Sequence, residues 1–128
     1  MIVVDYVDPV LVVDDLNTMT RIVDGMLRKC GFTNVEQCHD GPTALQKLRE
    51  KPFLFMMTDR EMPGMNGLEL AHEARRLRPG LPVLLTSGYE REAAEESPGS
   101  PTPFELLRKP YRREELAQAL RAVIAADA

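Results

Sequence analysis

The sequence predicts an α/β fold in which a parallel sheet of five strands is covered by helices on both faces. Short apolar runs such as Val10–Val13 alternate with segments whose apolar residues recur every three or four positions. Continuously apolar strands are typical of parallel sheets buried on both faces. The chain has 128 residues, 44% of them hydrophobic, and shows no internal repeat. It therefore has the size and core of one domain.

The first strand is predicted at Val10–Val13, and a helix follows at residues 16–30. Its apolar residues share one helical face: Met19, Ile22, Val23, Met26, Leu27 and Cys30. Asn17 or Thr18 is the expected N-terminal cap, and Gly31 is expected to end the helix. An earlier apolar run ends in Asp5 but lacks such a helix. We therefore expect an N-terminal tail or extra edge piece at residues 1–9, a domain at residues 10–128, and no ligand role for Asp5 or Asp8.

The remaining elements alternate in the same way. Further strands are predicted at residues 34–38, 53–58, 82–85 and 104–107, and further helices at 41–51, 68–77, 90–96 and 112–126. Turn residues separate these elements, and three prolines and a glycine within residues 97–103 predict a loop. The result is five strands alternating with five helices.

Composition excludes several classes of protein. No apolar run approaches the ~20 residues of a membrane span, and no basic segment precedes an apolar one as in a secretory signal. Cys30 and Cys38 form no Cys-x-x-Cys pair and lack clustered histidines, so reduced thiols are expected rather than zinc ligands. The net charge of -4 argues against nucleic acid as the main partner. We expect a cytoplasmic protein with neither nucleic acid nor membrane as a partner.

Polar residues follow four of the predicted strands. Asp14 and Asp15 follow the first, Asp59 the third, Thr86 the fourth, and Lys109 comes shortly after the fifth. Ligands of open α/β sheets bind beyond the carboxyl ends of the strands. Three carboxylates meeting there would repel each other and require a cation. Oxygen ligands of this kind select Mg²⁺, with Mn²⁺ as a substitute.

The same set of residues suits phosphoryl chemistry. Mg²⁺ rarely sits in an all-protein cage and takes some of its oxygens from phosphate. A hydroxyl such as Thr86 can donate to a phosphoryl oxygen, and an ammonium such as Lys109 can pair with another. A carboxylate can attack phosphorus to form an aspartyl phosphate. Each residue alone is ordinary after a strand, and the specificity lies in the ordered set.

With this set of residues, the chain resembles the receiver domain of bacterial response regulators, most closely the single-domain receivers of the chemotaxis type. The matching stretches are LVVDDLNTMTRIV, TDREMPGMNGLEL, LLTSGY and LRKPY, and the resemblance covers about residues 10–126. It implies a flavodoxin-like, doubly wound sheet with strand order 2-1-3-4-5. It also implies a partner that donates phosphate, either a sensor histidine kinase or a histidine phosphotransfer protein, and a downstream target protein.

The resemblance assigns a role to each site residue. Asp59 would be the phosphoacceptor, with Thr86 as the switch hydroxyl and Lys109 as the lysine of the motif. Asp15 and Asp59 would bind Mg²⁺ directly, Asp14 through a water, and the backbone carbonyl of Glu61 would complete the protein ligands. The output would be protein–protein contact, phosphorelay or removal of phosphate from a kinase.

The chain departs from the family pattern at three places. Leu106 stands where the family commonly has an aromatic residue, three positions before the lysine, and Tyr89, Phe104 or Tyr111 could substitute for that aromatic. Residues 90–103 have a weak helix signal, which predicts an irregular, mobile partner face. Glu61, two residues after the acceptor, is expected to influence the lifetime of the aspartyl phosphate.

Two other functions remain open at this stage. Asp59 and Glu61 resemble the paired acids of haloacid-dehalogenase phosphatases, but that family has aspartate at the second position and usually a cap domain, for which this chain has no room. A receiver-like interaction module that is never phosphorylated is the other alternative. Such a module would tend to lack an acid of the pair, the acceptor or the lysine, and all are present here.

Overall fold

The computed structural model of the chain describes residues 6–88 and 104–126, with side chains to Ile124. Its five strands form one parallel sheet with the order β2-β1-β3-β4-β5, as predicted. The strands are β1 (Val10–Val13), β2 (Val35–Cys38), β3 (Met56–Asp59), β4 (Val83–Ser87) and β5 (Glu105–Arg108). The predicted α/β class and the doubly wound, flavodoxin-like order of strands are confirmed.

Four helices lie within the described residues: α1 (Asn17–Lys29), α2 (Gly41–Glu50), α3 (Gly67–Leu77) and α4 (Arg113–Ala126). The predicted helix at residues 90–96, the predicted loop at residues 97–103 and Tyr89 all lie outside the described residues. No helix of the described chain is long and apolar enough to cross a bilayer.

Two hydrophobic clusters form the core, one on each face of the sheet. Alternate residues of β1 divide between them, because successive side chains of a strand point to opposite faces. Leu11 and Val13 pack with residues of α2 and α3, whereas Val10 and Val12 pack with residues of α1 and α4. All four are nearly or fully buried, which explains why this strand reads as a continuous apolar run.

The start of α1 differs from the prediction. The residue at its N-cap is Leu16, with no side-chain capping bond, so neither Asn17 nor Thr18 caps the helix. The Asp14 carboxylate accepts a hydrogen bond from the Leu16 backbone N–H at 3.0 Å, which fixes the turn just before the helix. Asn17 is therefore already the first helical residue.

Two strand boundaries also differ from the predictions. β3 begins at Met56 rather than at Phe53, although Phe53 and Phe55 are buried. The apolar run there marks burial and extends beyond the paired segment. β4 runs to Ser87, so Thr86 lies inside the strand and pairs with Asp59 across the sheet.

Candidate functional site

Three carboxylates meet at the carboxyl edge of the sheet, where the sequence predicted them. One oxygen each of Asp14, Asp15 and Asp59 lies within 4.8 Å of the others. We call these three residues the acidic cluster. β1 and β3 are neighbours in the sheet, so Asp14 and Asp59 leave adjacent parallel strands on the same edge.

The position of Asp59 depends on the start of α3. The helix begins with a reciprocal capping box, in which the Asn66 side chain accepts from the Glu69 backbone and the Glu69 side chain accepts from the Asn66 backbone. Gly67 follows and packs directly on β3. A Cβ at Gly67 would overlap the carbonyl oxygen of Asp59 and lie 2.7 Å from the Arg60 Cα. Only glycine permits this approach of the helix to the strand.

The adjacent Asp14 and Asp15 have different surroundings. Asp14 is 3% exposed, and its carboxylate already accepts a hydrogen bond from Leu16 and lies 3.4 Å from the Lys109 ammonium. Asp15 is exposed to solvent. The carboxylate of Asp15 is therefore the more accessible of the two.

Lys109 places one ammonium between two buried carboxylates. The β5 strand brings it there, since the Lys109 backbone N–H donates to the Ser87 carbonyl at 2.9 Å. Its Nζ lies 3.2 Å from the Asp59 Oδ1 and 3.4 Å from the Asp14 Oδ2. The lysine motif predicted from sequence therefore contacts the acidic cluster, and a cis peptide bond joins it to Pro110.

The electrostatics of the cluster favour a further cation. Burial raises the pKa of Asp59 to about 6, against the lowering effect of Lys109, and the charges of Asp14 and Glu61 raise it too. Burial likewise raises the pKa of Asp14. Among the described residues, Lys109 is the one cation that pairs with a carboxylate of this cluster of three, so the site keeps an excess of negative charge. An all-oxygen donor set with this excess fits a divalent cation such as Mg²⁺.

The cavity beside these residues is small. Its volume is about 10 Å³, and its lining includes Asp14, Asp59, Thr86, Lys109 and Tyr111. That volume suits about one water-sized group, so the site admits an ion or water but does not enclose a substrate. Any larger molecule must therefore approach these residues from the open side of the sheet edge.

Two residues of the site were not among its predicted members: Ser87, and Tyr111, which the sequence suggested only as a replacement for the family's aromatic residue. Tyr111 lines the cavity, and burial together with the charges of Asp14 and Asp59 raises its pKa. Its position two residues after Lys109 is the sequence feature that could have identified Tyr111 as a site residue. Ser87 follows Thr86 and is fully buried. Its hydroxyl donates to both carboxylate oxygens of Glu61, at 3.2 and 3.0 Å.

The Glu61 side chain joins the ends of β3 and β4. Besides the Ser87 hydroxyl, the Gly88 backbone N–H donates to its Oε1 at 3.0 Å. From the sequence, the Glu61 backbone carbonyl is predicted to bind the metal, and Glu61 is predicted to influence the lifetime of the aspartyl phosphate. The structure shows that the Glu61 carboxylate is anchored by Ser87 and Gly88, the two residues that follow Thr86 in the chain.

Leu106 occupies the position, three residues before Lys109, where receivers commonly have an aromatic residue. Leu106 pairs with Leu85 in the sheet and packs against the cluster on the α2–α3 face. Phe104 is buried with its ring 5.1 Å from the His72 ring and 5.2 Å from the Arg75 guanidinium. Phe104 therefore belongs to the α3 side of the core. Tyr111 is the aromatic that reaches the acidic cluster within the described residues.

The sequence matches one protein family in comparisons with known proteins. The chain matches the model of the response regulator receiver domain over residues 10–121. It is 46% identical over 81 residues to the chemotaxis protein CheY of Pseudomonas aeruginosa, which covers 61% of this chain and 64% of that protein. It is 30% identical over 117 residues to the response regulator receiver protein CpdR of Brucella abortus, covering 91% of this chain and 97% of that protein.

Solved structures agree with the sequence relatives. A sensor protein from Polaromonas sp. JS666 superposes with a TM-score of 0.81 at 26% identity, covering 94% of this chain and 98% of that one. The chemotaxis response regulator CheY4 of Vibrio cholerae gives 0.76 at 28% identity, covering 91% and 98%. The chain therefore belongs to the response regulator receiver domain family of two-component signalling, whose members are phosphoacceptors rather than metabolic enzymes.

Proposed function

We propose that Asp59 accepts a phosphoryl group from the phosphohistidine of a sensor histidine kinase or a histidine phosphotransfer protein in the cytoplasm. The phosphorylated chain then signals by contact with a downstream target or by phosphorelay. One observation carries this proposal: the Asp59 carboxylate lies at the carboxyl edge of the sheet, contacts the Lys109 ammonium at 3.2 Å, and has two further carboxylates beside it.

The chain's own residues supply most of the chemistry. A carboxylate oxygen of Asp59 attacks phosphorus, and the phosphorus–nitrogen bond breaks with its electron pair passing to the imidazole, which takes up a proton. Lys109 then exchanges its carboxylate partner for a phosphoryl oxygen. Thr86 pairs with Asp59 across the sheet, so its hydroxyl is placed to donate to another phosphoryl oxygen.

Mg²⁺ is the cation that we propose for the acidic cluster. Asp15 and Asp59 would bind it directly together with the Glu61 carbonyl, and Asp14 would bind through a water. The accessibility of Asp15 and the existing hydrogen bond of Asp14 support this division. A bound Mg²⁺ would offset the charge of the phosphoryl oxygens.

Phosphorylation of the isolated chain tests the function. The protein is incubated with Mg²⁺ and acetyl phosphate, and an acid-stable, base-labile adduct is measured by intact mass. We expect one added phosphoryl group in the unsubstituted chain and in Asp8→Asn, an exposed aspartate away from the site, and none in Asp59→Asn. Absence of an adduct in the unsubstituted chain refutes the proposal. Sustained turnover of a small phosphomonoester favours the phosphatase alternative instead.

Thermal unfolding tests the metal assignment. Because the metal binds the folded chain, Mg²⁺ at a hundredfold excess over Kd should stabilise it by about 2.7 kcal/mol. For a domain of this size, that corresponds to a rise of roughly 10 °C in the melting temperature. The increase should be much smaller in Asp15→Asn. An equal increase in both proteins would show that Mg²⁺ binds elsewhere.

Glu61 is expected to control the lifetime of the aspartyl phosphate. Its carboxylate is anchored by Ser87 and Gly88 and its charge acts on Asp59, so it can orient the water that attacks phosphorus. We expect Glu61→Ala to slow loss of phosphate by at least about threefold, and Glu105→Gln, an exposed control on β5, to leave it unchanged. Decay followed by intact mass at the same rate in all three proteins would refute the role.

A further inference from the structure

A second cavity lies away from the acidic cluster, between the C-terminal part of α1 and the helix α4. Its volume is about 450 Å³, within the range of roughly 300–1,000 Å³ that is usual for small-molecule sites. It shares no lining residue with the cavity of the acidic cluster. We call it the α1–α4 pocket, and it is lined by Tyr6, Lys29, Cys30, Phe32, Arg113, Glu114, Ala117, Leu120, Arg121 and Ile124.

The floor of the pocket is apolar and preformed. Phe32 and Leu120 are buried, with 5% and 3% of their surface exposed. Tyr6 forms a wall, with its ring centroid 5.0 Å from that of Phe32. The Tyr6 carbonyl accepts hydrogen bonds from the Thr33 N–H at 3.0 Å and the Thr33 hydroxyl at 3.2 Å, so the wall is fixed by the fold.

Positive charge surrounds this floor. Lys29, Arg113 and Arg121 line the pocket against a single acid, Glu114, although the chain as a whole has a net charge of -4. None of the three cations forms an ion pair with another described residue. Burial raises the pKa of the Cys30 thiol, and the guanidiniums of Arg113 and Arg121 oppose that rise. Both positive charges therefore act on the part of the pocket lined by Cys30.

We propose that the α1–α4 pocket binds a small organic carboxylate with an apolar body, such as a medium-chain fatty acid. The body would pack on Phe32 and Leu120, and the carboxylate would pair with Arg113 and Arg121. An apolar floor with a few convergent charged groups is the usual composition of a ligand site. Guanidiniums without an ion-pair partner in the described chain select an anion, because they offer charge-assisted, bidentate hydrogen bonds to a carboxylate.

Binding of octanoate to the full chain tests this site. In amide NMR spectra, saturable shifts are expected at Cys30, Phe32, Ala117 and Leu120. Octanamide has nearly the same shape but no charge, and it should bind at least about tenfold more weakly. No saturation by about 10 mM octanoate, shifts centred elsewhere, or equal binding of octanamide would overturn the proposal.

Matched variants separate the charge from the cavity. The double substitution Arg113→Gln and Arg121→Gln should weaken octanoate binding at least about tenfold and remove the preference over octanamide. The control, Arg21→Gln with Arg49→Gln, changes two exposed arginines that do not line the pocket and should bind normally. Ala117→Phe fills the cavity while it keeps both arginines, and it should also abolish binding. Normal binding by either pocket variant overturns the proposal.

Two further outcomes distinguish this site from the alternatives. Asp59→Asn should bind octanoate normally, since the pocket does not include the phosphoacceptor, so failure of one proposal leaves the other standing. Octanoate binding that weakens as the protein concentration rises would identify a second copy of the chain as the occupant, and this would overturn the assignment to a small carboxylate.

Discussion

The acidic cluster and the α1–α4 pocket carry charges of opposite sign, and they differ in how far those charges are buried. Asp14 and Asp59 are 3% and 6% exposed beside a cavity of about 10 Å³. Arg113 and Arg121 are exposed at the edge of a pocket of about 450 Å³. The buried carboxylates need Lys109 and show raised pKa values, whereas the exposed guanidiniums need no partner within the described chain.

This difference in burial determines how much the charges of each site affect the free energy of unfolding. Charges removed from water are destabilising unless they are paired, whereas exposed charges keep their hydration. Substitutions at the acidic cluster should therefore change both stability and function. Substitutions at the pocket should change binding alone. Three predictions test the packing and burial at the acidic cluster, and the second of them compares it directly with the pocket.

The largest effect is expected for the backbone contact that positions Asp59. Gly67→Ala would force a Cβ into the Asp59 carbonyl, and we expect a loss of about 3 kcal/mol or more in the free energy of unfolding, with loss of phosphorylation. The control is Gly25→Ala in α1, where nothing lies within 4 Å of the added Cβ. It should raise stability by about 0.5–1 kcal/mol. Urea unfolding measures both, and similar values would contradict the close packing at Gly67.

A smaller effect is expected for the lysines of the two sites. Lys109→Met leaves two buried carboxylates without their cation and should cost about 2 kcal/mol at neutral pH, because protonation of the carboxylates limits the penalty. Lys29→Met, at the pocket, should change stability by less than about 0.5 kcal/mol. Equal losses in urea unfolding would show that the burial of the acidic cluster is not what distinguishes the sites.

The last effect, of similar size, is the pH dependence that Asp59 gives the stability of the protein. Its pKa in the folded chain is about 6, above the ordinary value of 3.8, so the folded state binds more protons between these values. Its contribution to stability is present at low pH and is lost as the pH rises through 6. Relative to the unsubstituted chain, Asp59→Asn should therefore gain about 2 kcal/mol between pH 4 and pH 7.5. Urea unfolding in the presence of a chelator measures this gain, and a gain that does not change with pH would contradict it.

Much of the fold and of the site follows from local patterns in the sequence. Val10–Val13 was predicted with its observed bounds because all four residues are buried and a continuous apolar run reflects burial on both faces. Asp14, Asp59, Thr86 and Lys109 were predicted together because parallel strands bring their carboxyl ends to one edge. The resemblance to receivers supplied the order of the strands.

Other features depend on contacts between residues far apart in the chain. Leu16 replaced the expected polar caps because the Asp14 carboxylate binds its N–H. The Glu61 bonds to Ser87 and Gly88 join segments 26 and 27 residues apart, and no local pattern indicates them.

The sequence by itself determined the α/β class, the acidic cluster and the lysine that balances it, because strand burial and the residues at strand ends are local properties. The tertiary structure decided which of these carboxylates are buried and which of them pair with the lysine. It buried Asp14, left Asp15 exposed, and placed one ammonium between two carboxylates. It also formed the α1–α4 pocket, since that cavity exists only where α4 packs beside α1 and Tyr6 lies against Phe32.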